Sequence, residues 1–260
     1  MTGRADVHGL SGKVCLVTGS SRGIGSAVAQ GLAVAGMRVA VHYRSGRAEG
    51  EQVAAEIKAL GGDAILLHGD VSVAGVVQRL IEETVAGFGR IDVLINNAGD
   101  LIERCSVADT SDELFEQHIA VNVRPVFAAC RAAVQQMRIQ GGGGSIINLS
   151  SIAARTGGGG GSSLYAGSKA FVATFSRALA KEVANDGIRV NCVSPGVLAT
   201  PMQDRTTSPE MLEVLRRQIP LARIGAAEEC VGTFLWLCSE RLSGYVTGQV
   251  IEVNGGLLMP

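Results

Sequence analysis

The sequence predicts an α/β fold built around a parallel sheet, and two observations carry that prediction. Short apolar runs alternate with amphipathic stretches in units of about 30 residues, the rhythm of strand, crossover helix and parallel strand. The first unit also passes from strand to helix through Gly19-Ser-Ser-Arg-Gly23-Ile-Gly25. Small residues there let a pyrophosphate approach the backbone, and the helix N-terminus offers unpaired N–H groups to it. With 260 residues, 47% of them hydrophobic, the chain has the apolar mass for a large core, and one domain spanning 1–260 is expected.

Residues 13–18 form the first strand, because an unbroken apolar run suits a strand covered on both faces. A helix over 24–35 follows, so Gly19, Ser21, Arg22, Gly23, Ile24 and Gly25 are placed to line a nucleotide. The second strand, 37–43, ends where a site selective for NAD(H) carries Asp or Glu on the ribose hydroxyls. Tyr43, Arg44 and Ser45 stand there instead. Arg44 and Arg22 together supply two guanidinium groups to flank a 2′-phosphate, so NADP(H) is expected in preference to NAD(H). Next come a helix near 48–60, a strand over 64–68 leading to Asp70 and Val71, a helix over 73–88 and a strand over 91–95. Asn96-Asn97-Ala98-Gly99 then joins two amides to two small residues at a strand's end, which suits a loop tying the sheet edge to a cofactor.

Thr110-Ser-Asp-Glu113 has the form of a capping box and opens a long helix to about residue 137. Pro125 inside it removes the amide that would bond the Val121 carbonyl. A kink is therefore expected beside Asn122, opening a water site there. The glycines at 141–144 and 157–161 read as loops around a fifth strand at 145–151. The helix over 164–184 carries Tyr165 and Lys169, four residues apart and so on one face. An ammonium beside a phenol favours the phenolate, which would bring Tyr165 towards proton exchange at neutral pH. After a sixth strand at 188–193, the loop with Pro195, Gly196, Val197 and Thr200 is placed to cover a nicotinamide. The polar, amphipathic stretch 201–224 reads as a mobile lid, centred on about 200–222. A helix at 226–238, a strand at 249–253 and the turn Asn254-Gly-Gly256 complete the series.

A net charge of −1 without a basic block, and 4% aromatic residues, give neither the electrostatic footprint nor the stacking platform of a nucleic-acid binder. No apolar run reaches the roughly 18 residues of a membrane span, and the first residues lead into no signal-like apolar segment. A soluble, cytoplasmic protein is expected, with neither membrane nor nucleic acid as partner. Six scattered cysteines suit reduced, buried thiols, and the four histidines have no partners at metal-ligand spacing, so no metal site is expected.

Thr18-Gly-Ser-Ser-Arg-Gly-Ile-Gly25, Asn96-Asn-Ala-Gly99, Asn122, Ser151, Tyr165-x-x-x-Lys169 and Pro195-Gly196 with Thr200 occur in the order found in the short-chain dehydrogenase/reductase family. Nearly the whole chain resembles that family, and in particular its members similar to 3-oxoacyl-ACP reductases. The resemblance implies a doubly wound, Rossmann-like fold: a seven-stranded parallel sheet flanked by helices on both faces. It implies hydride transfer between NADP(H) and a ketone or secondary alcohol, and a homotetramer or homodimer formed through helices at about 111–139 and 163–185. Tyr165 is then the general acid or base, Lys169 holds the nicotinamide ribose and depresses the phenol's pKa, Ser151 binds the substrate oxygen, and Asn122 positions a water leading to Lys169. Asp70, Val71, Asn97, Ala98 and Gly99 join the glycine turn and the 195–200 loop as cofactor contacts.

Two departures from the family pattern stand out. Ser151 and Tyr165 lie one residue further apart than is common, with Ser150 as the alternative donor. The basic residues that meet an acidic carrier protein are replaced by Gln140-Gly-Gly-Gly-Gly-Ser145 and Asn185-Asp186-Gly187, which weakens a role in acyl-carrier reduction. A small or medium ketone is the expected substrate. A 3-oxoacyl thioester, or a sugar, steroid or alcohol oxidised in the opposite direction, are the alternatives. A silent NADP(H)-binding regulator is disfavoured by the intact Ser, Tyr, Lys and Asn set.

Overall fold

A computed structural model describes residue 6 and residues 8–260; residues 1–5 and 7, within the stretch read above for a signal-like segment, lie outside the described residues. The first half contains β1 (Val14–Val17), α1 (Gly23–Val34), β2 (Arg38–Tyr43), α2 (Arg47–Ala59), β3 (Asp63–His68), α3 (Val76–Phe88) and β4 (Val93–Asn96). It continues through α4 (Asp112–Asn122), α5 (Arg124–Gln140), β5 (Gly144–Leu149), α6 (Ala153–Thr156), α7 (Ser163–Val183), β6 (Ile188–Pro195) and β7 (Leu198–Ala199). Last come α8 (Pro201–Thr206), α9 (Pro209–Gln218), β8 (Gly225–Ala226), α10 (Val231–Cys238), α11 (Glu240–Ser243) and β9 (Val250–Val253).

Seven strands make one parallel sheet in the order β3-β2-β1-β4-β5-β6-β9. Successive side chains of a strand point to opposite faces, and both faces here are covered. Leu16, Leu94, Ile146 and Val190 enter one core with Leu80 of α3, Ala133 of α5 and Val172 of α7. Val17, Ile95, Ile147 and Val193 enter a second core with Leu32 of α1, Ile57 of α2 and Phe234 of α10. That two-sided burial, about 2 kcal/mol for each large aliphatic side chain, is why the strands read as continuous apolar runs. The winding reverses between β1 and β4, and the crevice outside their C-terminal ends is where such sheets hold ligands.

Some expected boundaries move, each for a local reason. Gly75, at φ 85, caps α3, so the helix begins at Val76 and not at 73. Ser111, not Thr110, caps α4, accepting from Leu114 N–H; the Thr110 hydroxyl donates to the Ser106 carbonyl instead. The long helix is broken at Val123, with Pro125 in the first turn of α5, where its missing N–H has no cost. β5 stops at Leu149, leaving Ser150 and Ser151 beyond the strand. The lid region forms two helices, and a short parallel ladder of β7 with β8 anchors its two ends.

Candidate active site

The glycine turn and the loop after β4 form one bonded unit in the crevice. Asn97 Nδ2 donates to the carbonyls of Thr18 (2.9 Å) and Gly19 (3.0 Å). Thr18 Oγ1 accepts from the N–H groups of Asn97 (3.0 Å) and Ala98 (3.1 Å). The glycines are needed at this junction: a Cβ on Gly25 would stand 2.4 Å from the Gly19 carbonyl oxygen and 2.5 Å from Asn97 Nδ2. Arg22 caps helix α1 from outside without a side-chain bond, and the first turn of the helix holds no acidic residue. The orphan N–H groups of that turn are therefore available to an anion. Gly23 (φ +58) faces Thr200 and Pro201, 3.8 Å from where its Cβ would be, so the 195–200 loop closes over the turn. These features fit a dinucleotide's pyrophosphate.

Beyond the turn, Arg22, Arg44 and Ser45 are exposed, whereas Tyr43 is buried with its ring 4.9 Å from that of His68. Tyr43 is thus a wall of the site. Asp70 accepts from Ser72 N–H (2.9 Å) and Ser72 Oγ (2.6 Å). Burial pushes its carboxyl up, but those bonds and the Arg44 charge outweigh it and hold Asp70 below the usual value. Val71 is buried beside it. On the nicotinamide side Gly196 N–H donates to the Val253 carbonyl (2.9 Å) and the Pro195 carbonyl accepts from Ile152 N–H (3.0 Å). Thr200 Oγ1 accepts from Gln203 N–H (3.3 Å), capping α8. The Val197 carbonyl accepts from Gly225 N–H (3.1 Å), while Ser21 and Ile24 are half-buried in the turn.

The four residues expected to carry the chemistry meet where β5, α4 and α7 converge. Lys169 is 3% exposed; its Nζ donates to the Leu149 carbonyl (2.8 Å) and lies 5.6 Å from the centre of the Tyr165 ring. Gly99 packs against this group: a Cβ there would be 2.9 Å from Asn122 Oδ1 and 3.1 Å from Lys169 Nζ. The Asn122 amide grips the Asp100 backbone, Oδ1 accepting from Asp100 N–H (2.9 Å) and Nδ2 donating to the Asp100 carbonyl (2.8 Å). Ser150 Oγ donates to the Lys169 carbonyl (2.9 Å), which commits it to holding α7. Ser151 Oγ accepts from Ala153 N–H (3.1 Å), and Ser151 is the serine near enough to the Tyr165 phenol to act on its pKa.

The electrostatics differ from expectation in one respect. Burial pushes the Tyr165 phenol up to about 12; Ser151 opposes this and the Asp100 charge adds to it. Lys169 does not lower it, because the ammonium is turned onto the Leu149 carbonyl and is itself pulled down to about 8 by burial. The phenol therefore stays protonated at neutral pH.

Several residues of the site escape a reading by motif. Asp100 pairs with Arg205 of α8, and Arg104 donates to the carbonyls of Thr206 (2.9 Å) and Gly160 (3.1 Å), so α8 is fastened to the loop after Gly99 and to the glycine run. Ile102, between them, has φ 60, a costly conformation for a β-branched residue and typical of loops shaped by function. His42 and Ser20 brace the glycine turn from β2. Nothing in the spacing of Asp100, His42 or Ser20 marks them, since their partners come from distant segments.

Comparison with known proteins follows the same outline. The profile of a family described as Enoyl-(Acyl carrier protein) reductase matches residues 19–258. A 3-oxoacyl-[acyl-carrier-protein] reductase of Synechocystis sp. is 40% identical over 254 residues, 96% of this chain and 98% of that protein. The 3beta-hydroxysteroid dehydrogenase 1 of Eggerthella lenta is 37% identical over 252 residues, 96% of this chain and 95% of its own. Among solved structures, a short-chain type dehydrogenase/reductase from Mycobacterium marinum superposes with a TM-score of 0.92 at 36% identity, covering 98% of this chain and 99% of that one.

Proposed function

The chain belongs to the short-chain dehydrogenase/reductase family and is an oxidoreductase acting on CH–OH and C=O groups; from that premise we propose that it is an NADPH-dependent ketone reductase, working as one domain over 1–260. The observation that carries this reading is the meeting of Tyr165 with a buried Lys169, whose Nζ lies 5.6 Å from the centre of the phenol ring, beside Asn122 and the loop after β4.

The cofactor, when bound, supplies the hydride. Every other part of the reaction falls to the chain's own side chains. Negative charge builds on a carbonyl oxygen as the C–H bond forms, and the Tyr165 and Ser151 hydroxyls are the donors that would stabilise it. Tyr165 then gives its proton to that oxygen. A phenol held protonated suits this direction better than alcohol oxidation, which needs the phenolate. Lys169 would hold the nicotinamide ribose, and the glycine turn and the Asn97-Ala98-Gly99 loop would hold the rest of the nucleotide. Asn122 fastens the Asp100 backbone, and the helix break beside it suits a water leading towards Lys169. The segment at about 200–222 acts as the lid.

Substrate identity is not selected by similarity, because a carrier-protein reductase and a steroid dehydrogenase match almost equally well. The surface charge favours a small ketone. Arg138, on the last turn of α5, is paired with Asp186 through Nε (2.9 Å) and Nη2 (2.7 Å), so its charge is neutralised where an acidic carrier would need it. The test is the initial rate of NADPH oxidation with acetoacetyl-CoA beside aliphatic and aromatic ketones and diketones. Turnover of ketones is expected to exceed that of the thioester. A faster thioester moves the reading to acyl reduction, and activity seen solely with NADP⁺ and alcohols reverses its direction.

Cofactor preference rests on Arg22 and Arg44, exposed at the end of the nucleotide crevice with Arg44 close enough to act on Asp70. Arg44→Ala should raise the KM for NADPH about tenfold, the scale of one charge-assisted hydrogen bond, and leave that for NADH unchanged. Equal effects on both cofactors would remove the basis for NADP(H) selectivity.

Assembly is proposed through α5 and α7. Phe127 (45% exposed) and Phe171 (40% exposed) flank Phe175 on this face, with ring centres 6.1 and 5.6 Å from it. Such a patch is what a dimer or tetramer covers. Phe171→Glu should shift the sedimentation coefficient to a smaller species; an unchanged assembly would place the interface elsewhere. Free cysteines, five of the six buried, suit the cytoplasmic location also proposed.

A further inference from the structure

β2 carries a buried histidine that the reaction chemistry leaves unused. His42 is 2% exposed, and both ring nitrogens are committed: Gly19 N–H donates to Nδ1 (2.9 Å), and Nε2 lies 3.0 Å from the Gly69 carbonyl oxygen. A carbonyl oxygen accepts and cannot donate, so Nε2 carries the proton and Nδ1 is the acceptor. The ring is the neutral imidazole, in keeping with burial pushing its pKa below the ordinary histidine value. Its backbone is equally occupied. His42 N–H donates to Ser20 Oγ (2.9 Å), Ser20 N–H donates to the His42 carbonyl (2.9 Å), and Ser20 Oγ donates to the Val17 carbonyl (2.7 Å).

One side chain thus spans the first residue of the anion-binding turn and the residue before Asp70. Gly19 sits at φ +65, and the Thr18 carbonyl of the same peptide is held by Asn97 Nδ2 (2.9 Å). Deprived of an acceptor, its N–H must remain unpaired or drag the turn away from the Asn97 loop. We infer that His42 is a positioning residue for the nucleotide: its neutral imidazole, oriented by the Gly69 carbonyl, fixes the Gly19 peptide, and through that peptide sets cofactor affinity without entering the chemical step. This rests on the proposed binding of NADP(H) at the glycine turn.

The two bonds are separable by substitution. Asparagine places Oδ1 where Nδ1 stands, which keeps an acceptor for Gly19, but its Nδ2 stops short of Gly69. Leucine keeps neither bond. The experiment compares His42→Asn and His42→Leu in the full chain by NADPH fluorescence titration, by KM and kcat with a ketone substrate, and by hydrogen exchange of the Gly19 amide without nucleotide. His42→Leu is expected to weaken NADPH binding and raise its KM about ten- to hundredfold, with kcat at saturation within about threefold and Gly19 exchange at least about tenfold faster. His42→Asn should stay within about fivefold on both binding and KM, with Gly19 exchange unchanged.

NADPH binding by His42→Leu within about twofold of wild type overturns the inference, as does a loss confined to kcat. Should His42→Leu fail to fold, a His42→Asn variant with slow Gly19 exchange but binding weakened beyond about tenfold overturns it alone. A wild-type protein that binds no NADPH refutes the cofactor reading instead, and slow Gly19 exchange would still report the brace.

Discussion

Tyr165→Phe should lower kcat for ketone reduction by about a thousandfold and leave NADPH binding within about twofold, because a positioned general acid contributes on the order of 10²–10⁴. The substitution removes one oxygen and keeps the ring, so the packing against Lys169 survives. What is lost is the donor that completes the alcohol. Ser151 alone retains part of the charge stabilisation, which is why a residual rate is expected and not zero. Initial rates with saturating ketone, alongside NADPH titration, separate the two effects. A variant that turns over at more than about a tenth of the wild-type rate would transfer the acid role to another group.

Lys169→Met should abolish all but about one hundredth of turnover while the protein melts within a few degrees of wild type at neutral pH. Two effects on stability oppose each other. The Leu149 carbonyl loses its donor, costing about 1–3 kcal/mol; against that, a buried charge is removed. Folding lowers the Lys169 pKa from 10.5 to about 8, so the folded protein bears the full penalty of the buried ammonium below pH 8. Between about pH 8 and 10.5 the unfolded chain still holds a proton that the folded chain has released, and stability from this group rises with pH. Wild type should therefore gain on the variant by up to about 3 kcal/mol between pH 7 and pH 10.5. Urea unfolding of both proteins at the two pH values measures the difference. A constant difference would mean that the ammonium is not desolvated in the folded state.

Much of the site was legible because local spacing alone decides it. Tyr165 and Lys169 share a face because four residues make one helical turn, whatever surrounds the helix. Gly19 and Gly25 mark a close approach of backbones that no other residue permits, and strands buried on both faces announce themselves as apolar runs. The break beside Asn122 follows from the covalent chemistry of Pro125. The cap of α4 was displaced by one residue because Thr110 and Ser111 are equally good capping types, and the choice fell to which hydroxyl the Ser106 carbonyl engaged. The short helices α6, α8 and α11 have too few residues for a periodic signal.

The sequence by itself determined the parallel α/β architecture, the glycine turn after β1 and the shared face of Tyr165 and Lys169, since each depends on contacts within a turn or on periodicity along one element. Tertiary structure decided the electrical state of those side chains and the bracing around them. Tyr165 is pushed up, not down, because burial and the Asp100 charge outweigh the effect of Ser151, while the ammonium has turned to the Leu149 carbonyl. Ser150 is set apart from Ser151 by α7, whose Lys169 carbonyl accepts from the Ser150 hydroxyl. His42 reaches Gly19 and Gly69 across 23 and 27 residues, and Arg205 reaches Asp100 across 105. Desolvation and long-range hydrogen bonds depend on which distant segments meet, and no pattern along one stretch of chain encodes that.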